Sequence, residues 1–307
     1  MKYSILMSVY REDSPEYFKV ALDSIYHKQT KKPDEVVIVE DGPVTEALTR
    51  VMEEFKAEVE KRDLSEAKDQ QSLESAKSIQ TAYLEENEKT LEIGGVVKIV
   101  KLRKNEGLGT ALREGAINCT GDYIVRMDSD DISLPERIEI LDSYLTKHPE
   151  VDALGTDIGE FIDDPEKIVR HRVCPADHDS IVKMSKKRNP MNHVSCAIKR
   201  KSLEKIGNYR SLSLIEDYFL WVRMIAHDMR LANINQSLVA VRIGNGFEKR
   251  RRDVDRVKSW KVLQKYMLKH KMINRFQAAM NMLYIRLFVY SPACFKKIAY
   301  NKMLRRK

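Results

Sequence analysis

Three aspartates within four positions, Asp128, Asp130 and Asp131, follow a short apolar run from Tyr123 to Met127. In an extended chain side chains alternate in direction, so Asp128 and Asp130 leave the strand end on one side while Asp131 turns away. Two carboxylates held that close repel and raise each other's pKa unless a cation lies between them. Oxygen-only ligation suits a hard divalent ion such as Mg2+ or Mn2+, which completes its shell with water and phosphate oxygens. Taken alone, the same run is equally that of a solvated acidic turn capping a helix that starts at Pro135.

The flanking elements argue for a positioned site. Tyr3 to Val9 is a continuous apolar run, as expected of a parallel strand buried on both faces. Ser14 and Pro15 predict a helix start, with Phe18, Ala21, Leu22 and Ile25 as its buried face. Further strands are expected at Glu35 to Val39, Val96 to Leu102, Tyr123 to Met127, Val151 to Thr156 and Val194 to Ile198. Helices are expected around Leu108 to Ala116, from Pro135 to about His148, and from Lys201 to Ile206. Strands alternating with helices predict an α/β fold with a mostly parallel, doubly wound sheet. Ligands of such sheets bind beyond the carboxyl ends of the strands. Tyr10, Asp41, Asn105 and Asp128 all fall there.

Thr45 to Ile93 contains no Gly or Pro and is rich in Glu, Lys, Ala and Gln. Leu48, Val51, Met52, Phe55 and Val59 recur at helical spacing, and Leu73, Ala76, Ile79 and Tyr83 do so more weakly. The expectation is a helix, or a helical hairpin broken near residues 62–65, that does no chemistry; a self-association or partner surface is the alternative. Gly159 to Pro190 is polar and poorly periodic. Farther on, Glu216 and Asp217 open a helix with Tyr218, Trp221, Val222 and Ile225 as its buried stripe.

Charge is unevenly spread. From Glu248 to Lys307 there are 18 Lys/Arg against 3 Asp/Glu, a balance of +15, so residues 1–247 carry −7 of the chain's +8. A basic tail on an acidic body points to a polyanionic surface, membrane or nucleic acid. The apolar run Ala278 to Tyr290 is interrupted by Asn281 and Arg286, too short and too charged to span a bilayer. It suits a helix lying in the headgroup layer between Arg250-Arg251-Arg252 and Lys296, Lys297, Arg305 and Arg306; a packed helix with a solvated basic face is the alternative. Met1-Lys2 leads directly into the first strand, without the pattern of a signal peptide. Cys119, Cys174, Cys196 and Cys294 are far apart and form no CxxC pair, as expected of reduced thiols in a cytosolic protein.

Six ordered motifs resemble the inverting, family 2 glycosyltransferases of GT-A fold. They are Ser8-Val9-Tyr10; Val39-Glu40-Asp41-Gly42; Asn105-Glu106-Gly107-Leu108-Gly109; Met127-Asp128-Ser129-Asp130-Asp131 with Pro135 and Arg137 behind it; Asn192-His193; and Glu216-Asp217-Tyr218-Phe219-Leu220-Trp221. The wording around Asp41 to Thr45 and Arg126 to Pro135 is most similar to the exopolysaccharide-synthesis branch, of amylovoran type. The resemblance implies a GT-A domain over 1–246, with a helical insertion at about 45–93; the charge balance and the short apolar run predict a basic helical region over 247–307 that binds a membrane surface.

It also implies site roles. Tyr10, with the backbone around Ser8, packs on the base of a nucleotide sugar, and Asp41 bonds its uracil. Asn105 lies near the diphosphate, Asp128 contacts ribose, and Asp130, with Asp128, binds Mn2+ or Mg2+. Asp217 is the general base, while His193, Glu216, Trp221 and Arg137 line or support the acceptor pocket. Arg113 stands where relatives offer Asn, and is read as a surface arginine rather than a phosphate contact. Val239 to Gly246 lacks the histidine that some relatives give to the metal. The implied function is transfer from a UDP-sugar to a lipid-linked oligosaccharide in bacterial exopolysaccharide, capsule or O-antigen synthesis, at the cytoplasmic face of the plasma membrane. A nucleotidyltransferase is a rival, but Ser8 to Glu12 is no Gly-rich phosphate loop. A nucleic-acid-binding protein is a weaker one, since it leaves the acidic strand end without a role.

Overall fold

Apolar runs flanked by helix-capping residues set the first half of the chain, seen here in a computed structural model that describes residues 1–66, 80–84, 89–93, 95–243 and 253–291. The chain divides into two compact units, Met1–Thr146 with Lys199–Lys201, and Lys147–Ile198 with Ser202 onward.

In the first unit, β1 (Tyr3–Val9) and β2 (Glu35–Glu40) run parallel, with Ser8 opposite Val39. β5 (Val97–Leu102) continues the parallel set beyond β2, and β6 (Tyr123–Met127) beyond β1. All four are fully or mostly buried, which is why apolar residues dominate them; in β5 the two lysines, Lys98 and Lys101, are the part-buried positions. Between β1 and β2 lies α1 (Pro15–Ile25), where the Ser14 hydroxyl accepts the Tyr17 amide at 3.4 Å and Phe18, Ala21, Leu22 and Ile25 are buried as expected. α3 (Leu108–Asn118) lies on β1, β2 and β5. Its Gly115 permits this approach, since a Cβ there would sit 2.3 Å from Leu6 Cδ1. After the short β7 (Ile132–Ser133), α4 spans Arg137–Lys147. It starts two residues later than Pro135 because residues 134–137 close a turn, Arg137 N–H donating to Leu134 O at 3.1 Å.

The stretch 45–93 departs from expectation. α2 (Glu46–Glu66) buries Leu48, Met52, Phe55 and Val59 at helical spacing. Within the second half of the expected helical hairpin, residues 80–84 and 89–93 are instead strands. β3 (Gln80–Leu84) pairs antiparallel with β4 (Lys89–Ile93), and β4 extends the sheet on β5 with Leu91 opposite Val100. The open edge of β5 offers a ladder of backbone groups, and pairing with it overrides the helix propensity of a Glu- and Lys-rich segment. Tyr83 is on a strand; Leu73, Ala76 and Ile79 lie outside the described residues.

In the second unit, β8 (Val151–Phe161) runs past the expected end at Thr156 because three strands pair with it. β10 (Ala197–Lys199) and β9 (Arg170–Arg172) pair antiparallel, and β11 (Arg230–Arg242) parallel. Only the end of the expected 194–198 strand is extended; His193–Ser195 is a turn of 3-10 helix. The polar stretch 159–190 holds β9 and α5 (His178–Ser185), capped by Asp177, which accepts the Ser180 amide at 2.8 Å. α6 (Arg200–Lys205) ends at Gly207, which has φ +77°. α7 (Glu216–Ile225) buries nearly its whole circumference, Phe219, Leu220, Arg223 and Met224 joining the expected stripe while Ile225 is half-buried. It packs on α8 (Asp253–Lys269), and α8 on α9 (Arg275–Tyr290). No helix among the described residues is long and apolar enough to cross a membrane.

Candidate active site

Two loops at the carboxyl edge of the first unit's sheet clasp each other. Asp41, just past β2, is buried, and each of its carboxylate oxygens accepts one amide of the loop before α3: Glu106 N–H at 2.7 Å and Gly107 N–H at 3.0 Å. Gly42 has φ +82°, and a Cβ there would lie 2.4 Å from the Asn105 nitrogen, so only glycine admits the close passage of residues 104–105. Asn105 is thereby exposed at the tip of a pinned loop. Burial pushes the Asp41 carboxyl up, and the two amides pull it partly back. The sequence reading missed this clasp, although the pairing of Asp-Gly with Asn-x-Gly at successive strand ends was its signal.

A second tie joins the loop after β1 to the acidic strand end. Asp13 accepts the Tyr10 amide at 3.1 Å and the Ser129 hydroxyl at 2.8 Å on one oxygen. Asp13 was not among the expected site residues. Ser8 and Tyr10 are part-buried at this edge, as are Asp128 and Asp130, whereas Asp131 is buried. Beneath them lie two fully buried arginines. Arg126 donates to the Met127 carbonyl and to Asp128 Oδ1. Arg137 donates to Arg126 O at 2.7 Å and contacts Met127 Sδ at 3.3 Å. Arg137 thus supports the strand end from within and is too buried to meet a ligand directly. Arg113 pairs with Glu114 at 3.0 Å and is half-exposed, matching the surface reading.

Among the described residues no three His, Cys, Asp or Glu side chains gather as a metal cluster. The donor set at the strand end still fits a hard cation. Asp128 and Asp130 are oxygen donors at a partly open edge, and Arg126 takes one oxygen of Asp128. Such an ion takes most of its shell from phosphate and water.

In the second unit, Asp217 stands in the first turn of α7 and is part-buried. Its Oδ1 accepts the Tyr218 amide at 2.7 Å and its Oδ2 accepts Asn189 Nδ2 at 2.5 Å. Burial raises its pKa; the Tyr218 amide, the charge of Arg172 and the Asn189 amide offset this only in part. Arg172 reaches the carbonyls of Asn189 and Met191, both at 3.4 Å, and so shapes the loop that carries the amide. Asn192, also buried, donates to Thr156 O at 2.8 Å. His193 meets the Tyr209 hydroxyl at 3.1 Å, and its ring lies edge-on to Tyr209 and Trp221. Trp221 is wholly buried, and its indole nitrogen has no hydrogen-bond partner among the described residues. Glu216 is part-buried beside Asp217. Asn189 and Arg172 were missed by the sequence reading, since neither stands in a recognisable motif. Cys119, Cys174 and Cys196 are buried thiols; Cys294 lies outside the described residues.

Likeness to known proteins bears on the family and the fold. The sequence model described as Glycosyl transferase family 2 matches residues 74–207. An Escherichia coli protein named UDP-Gal:alpha-D-GlcNAc-diphosphoundecaprenol beta-1,3-galactosyltransferase is 33% identical over 306 residues, covering 99% of this chain and 97% of its own. The amylovoran biosynthesis glycosyltransferase AmsE of Erwinia amylovora is 33% identical over 267 residues, 87% of this chain and 85% of its own. In three dimensions, S. aureus TarS 1–349 in complex with UDP-GlcNAc superposes with a TM-score of 0.63 at 14% identity, over 99% of this chain and 76% of that one. The fold is the GT-A type expected, and the chain belongs to glycosyltransferase family 2.

Proposed function

We propose that this glycosyltransferase is metal-dependent and inverting, and moves a sugar from UDP to a lipid-linked oligosaccharide in bacterial exopolysaccharide, capsule or O-antigen synthesis. The observation that carries the reading is the end-to-end likeness to a protein named for a UDP-sugar donor and a diphosphoundecaprenol acceptor. The carboxylates of both units agree with it. Tyr10 and the backbone at Ser8 hold the uracil, and Asp41 shares its remaining lone pairs with the uracil N–H while keeping the 105–107 loop in place. Asn105 meets the diphosphate, and Asp128 the ribose. Asp130, with Asp128, would hold Mn2+ or Mg2+, and such an ion would offset the negative charge that grows on the departing diphosphate.

An acceptor hydroxyl is a poor nucleophile, so Asp217 takes its proton as the oxygen attacks the anomeric carbon. Its raised pKa makes it the stronger base for that step. One base and one direct displacement invert the anomeric centre; a double displacement needs a second carboxylate as nucleophile. Glu216, His193 and Trp221 shape the acceptor side, and Arg137 acts through the strand end. The region 1–246 carries the chemistry. The region 247–307 holds the enzyme peripherally at the cytoplasmic face of the plasma membrane, and no nucleic acid is a partner.

Calorimetric titration of UDP tests the reading. Binding with Mn2+ that is lost with EDTA, and lost in Asp130→Ala, is the expected result. Metal-independent UDP binding removes the metal from the proposal, and no UDP binding in either condition removes the donor.

A further inference from the structure

The apolar run in the last described helix is split between two faces. Ala278, Asn281, Ile285 and Val289 of α9 face inward and are buried. Asn281 fixes that orientation, donating to Lys186 O at 2.8 Å and to Gln264 Oε1 at 2.9 Å. Asn274 and Gln277 close a capping box at its start. On the opposite side Phe276 is 73% exposed, Leu283 48%, Tyr284 62%, Leu287 60% and Tyr290 71%. At 3.6 residues per turn, Phe276, Leu283, Leu287 and Tyr290 fall in one strip about 60° wide, running most of a helix about 24 Å long. An exposed apolar strip of this extent marks an interaction surface.

The surroundings select the occupant. α9 contains no acidic residue, and Arg275 and Arg286 lie along one side of the strip, both exposed. Lys269 and Lys271, just before the helix, are exposed too, and residues 292–307 add Lys296, Lys297, Lys302, Arg305, Arg306 and Lys307 in sequence. A second copy of this face would set these cations against themselves. An anionic bilayer offers acyl chains to the strip and phosphates to its flanks, and Tyr284 and Tyr290 have the amphipathic rings that favour headgroup depth.

The strip is coupled to the candidate base. Ile215, Tyr218, Phe219 and Val222 of the Asp217 helix and its entry form one buried cluster with Leu263, Met267, Ile273 and Ala278. The ring of Tyr218 lies 5.7 Å from Trp260, and that of Phe219 5.2 Å from Tyr266. α8 and α9 are therefore continuous in packing with α7.

We infer that the outward strip of α9 lies in the plane of an anionic bilayer and, through its packing on α7, holds the Asp217-bearing helix at a set height above the acceptor's lipid. This rests on the reading that the acceptor is lipid-linked and the C-terminal region meets a membrane.

The test is sedimentation of the full chain with phosphatidylglycerol-containing vesicles and with phosphatidylcholine vesicles, for the unaltered protein and for Leu283→Glu/Leu287→Glu. The unaltered protein is expected to pellet with the anionic vesicles, and the double variant to bind them about tenfold or more weakly. UDP affinity and helical circular dichroism should be unchanged, which establishes that the variant folds. KM for a long-chain acceptor in vesicles should rise about as much, with KM for a water-soluble short-chain acceptor unmoved. A folded double variant that pellets like the parent overturns the inference and leaves the membrane reading standing. A parent that ignores anionic vesicles removes both. A parent dimer that the double variant dissolves assigns the strip to self-association and overturns the inference.

Discussion

Glu35 at the start of β2 and Asp217 in the first turn of α7 are both withdrawn from water, and their surroundings push them in opposite directions. Burial raises both. Around Glu35 the raising is outweighed: Lys98 Nζ lies 2.5 Å from Oε2, the Ser4 hydroxyl and Thr120 amide donate to Oε1, and the Thr120 hydroxyl adds a bond at 3.0 Å. Its pKa falls below the usual carboxylate range. Asp217 has two neutral donors in contact and the charge of Arg172 acting without a direct bond, and its pKa stays raised. A buried carboxylate touching a cation is a structural part. One that is oriented but not neutralised keeps its affinity for a proton, which is what a base requires.

The largest effect that would break this contrast is Asp217→Asn. It should lower kcat on the order of a thousandfold while UDP affinity is retained; near-normal turnover would strip Asp217 of its role. Glu35→Gln should leave the part-buried Lys98 with only the Asn118 carbonyl, costing about 2 kcal/mol by denaturant unfolding. Its kcat at a permissive temperature should stay within about twofold, because it touches no substrate. A comparable loss in kcat would show that the two carboxylates are not divided as argued.

Arg172→Ala and Asn189→Ala sharpen the comparison. Each removes an influence that lowers the Asp217 pKa, so the acidic limb of the kcat/KM profile should move to higher pH. Activity should fall by about tenfold near the limb and little above it. An unshifted limb with a uniformly lower rate would confine both residues to loop support.

The smallest effect is on stability against pH, where the signs oppose. The lowered pKa of Glu35 contributes stability that is full above its unfolded value, near pH 4, and is lost as pH falls through the folded value. The raised pKa of Asp217 acts in reverse. Its folded form binds the proton more tightly, so stability is lost as pH climbs from about 4 through the folded value. Urea midpoints across that window should rise in Asp217→Asn relative to the parent, with unfolding free energy higher by about 1 kcal/mol at neutral pH. A midpoint that falls instead would mean Asp217 is neutralised in the fold.

Sequence alone determined the elements whose signals are local. The apolar runs of β1, β2, β5 and β6 read directly as buried parallel strands, and Ser14-Pro15 marks the start of α1. The acidic strand end, Asp41 and Asp217 were visible as residue types at strand and helix ends, and six ordered motifs carried the family. Tertiary structure decided what depends on distant partners. Helix propensity at 89–93 gave way to pairing with the edge of β5, and β11 emerged only as the parallel neighbour of β8. Asp41 holds amides 65 and 66 residues away, and Asn189 reaches Asp217 across 28. The amphipathic run of α9 became two faces only once Asn281 bound Gln264 and Lys186. Local periodicity sets which backbone forms; which side chain orients which carboxylate is set by contacts whose closure the order of residues does not display.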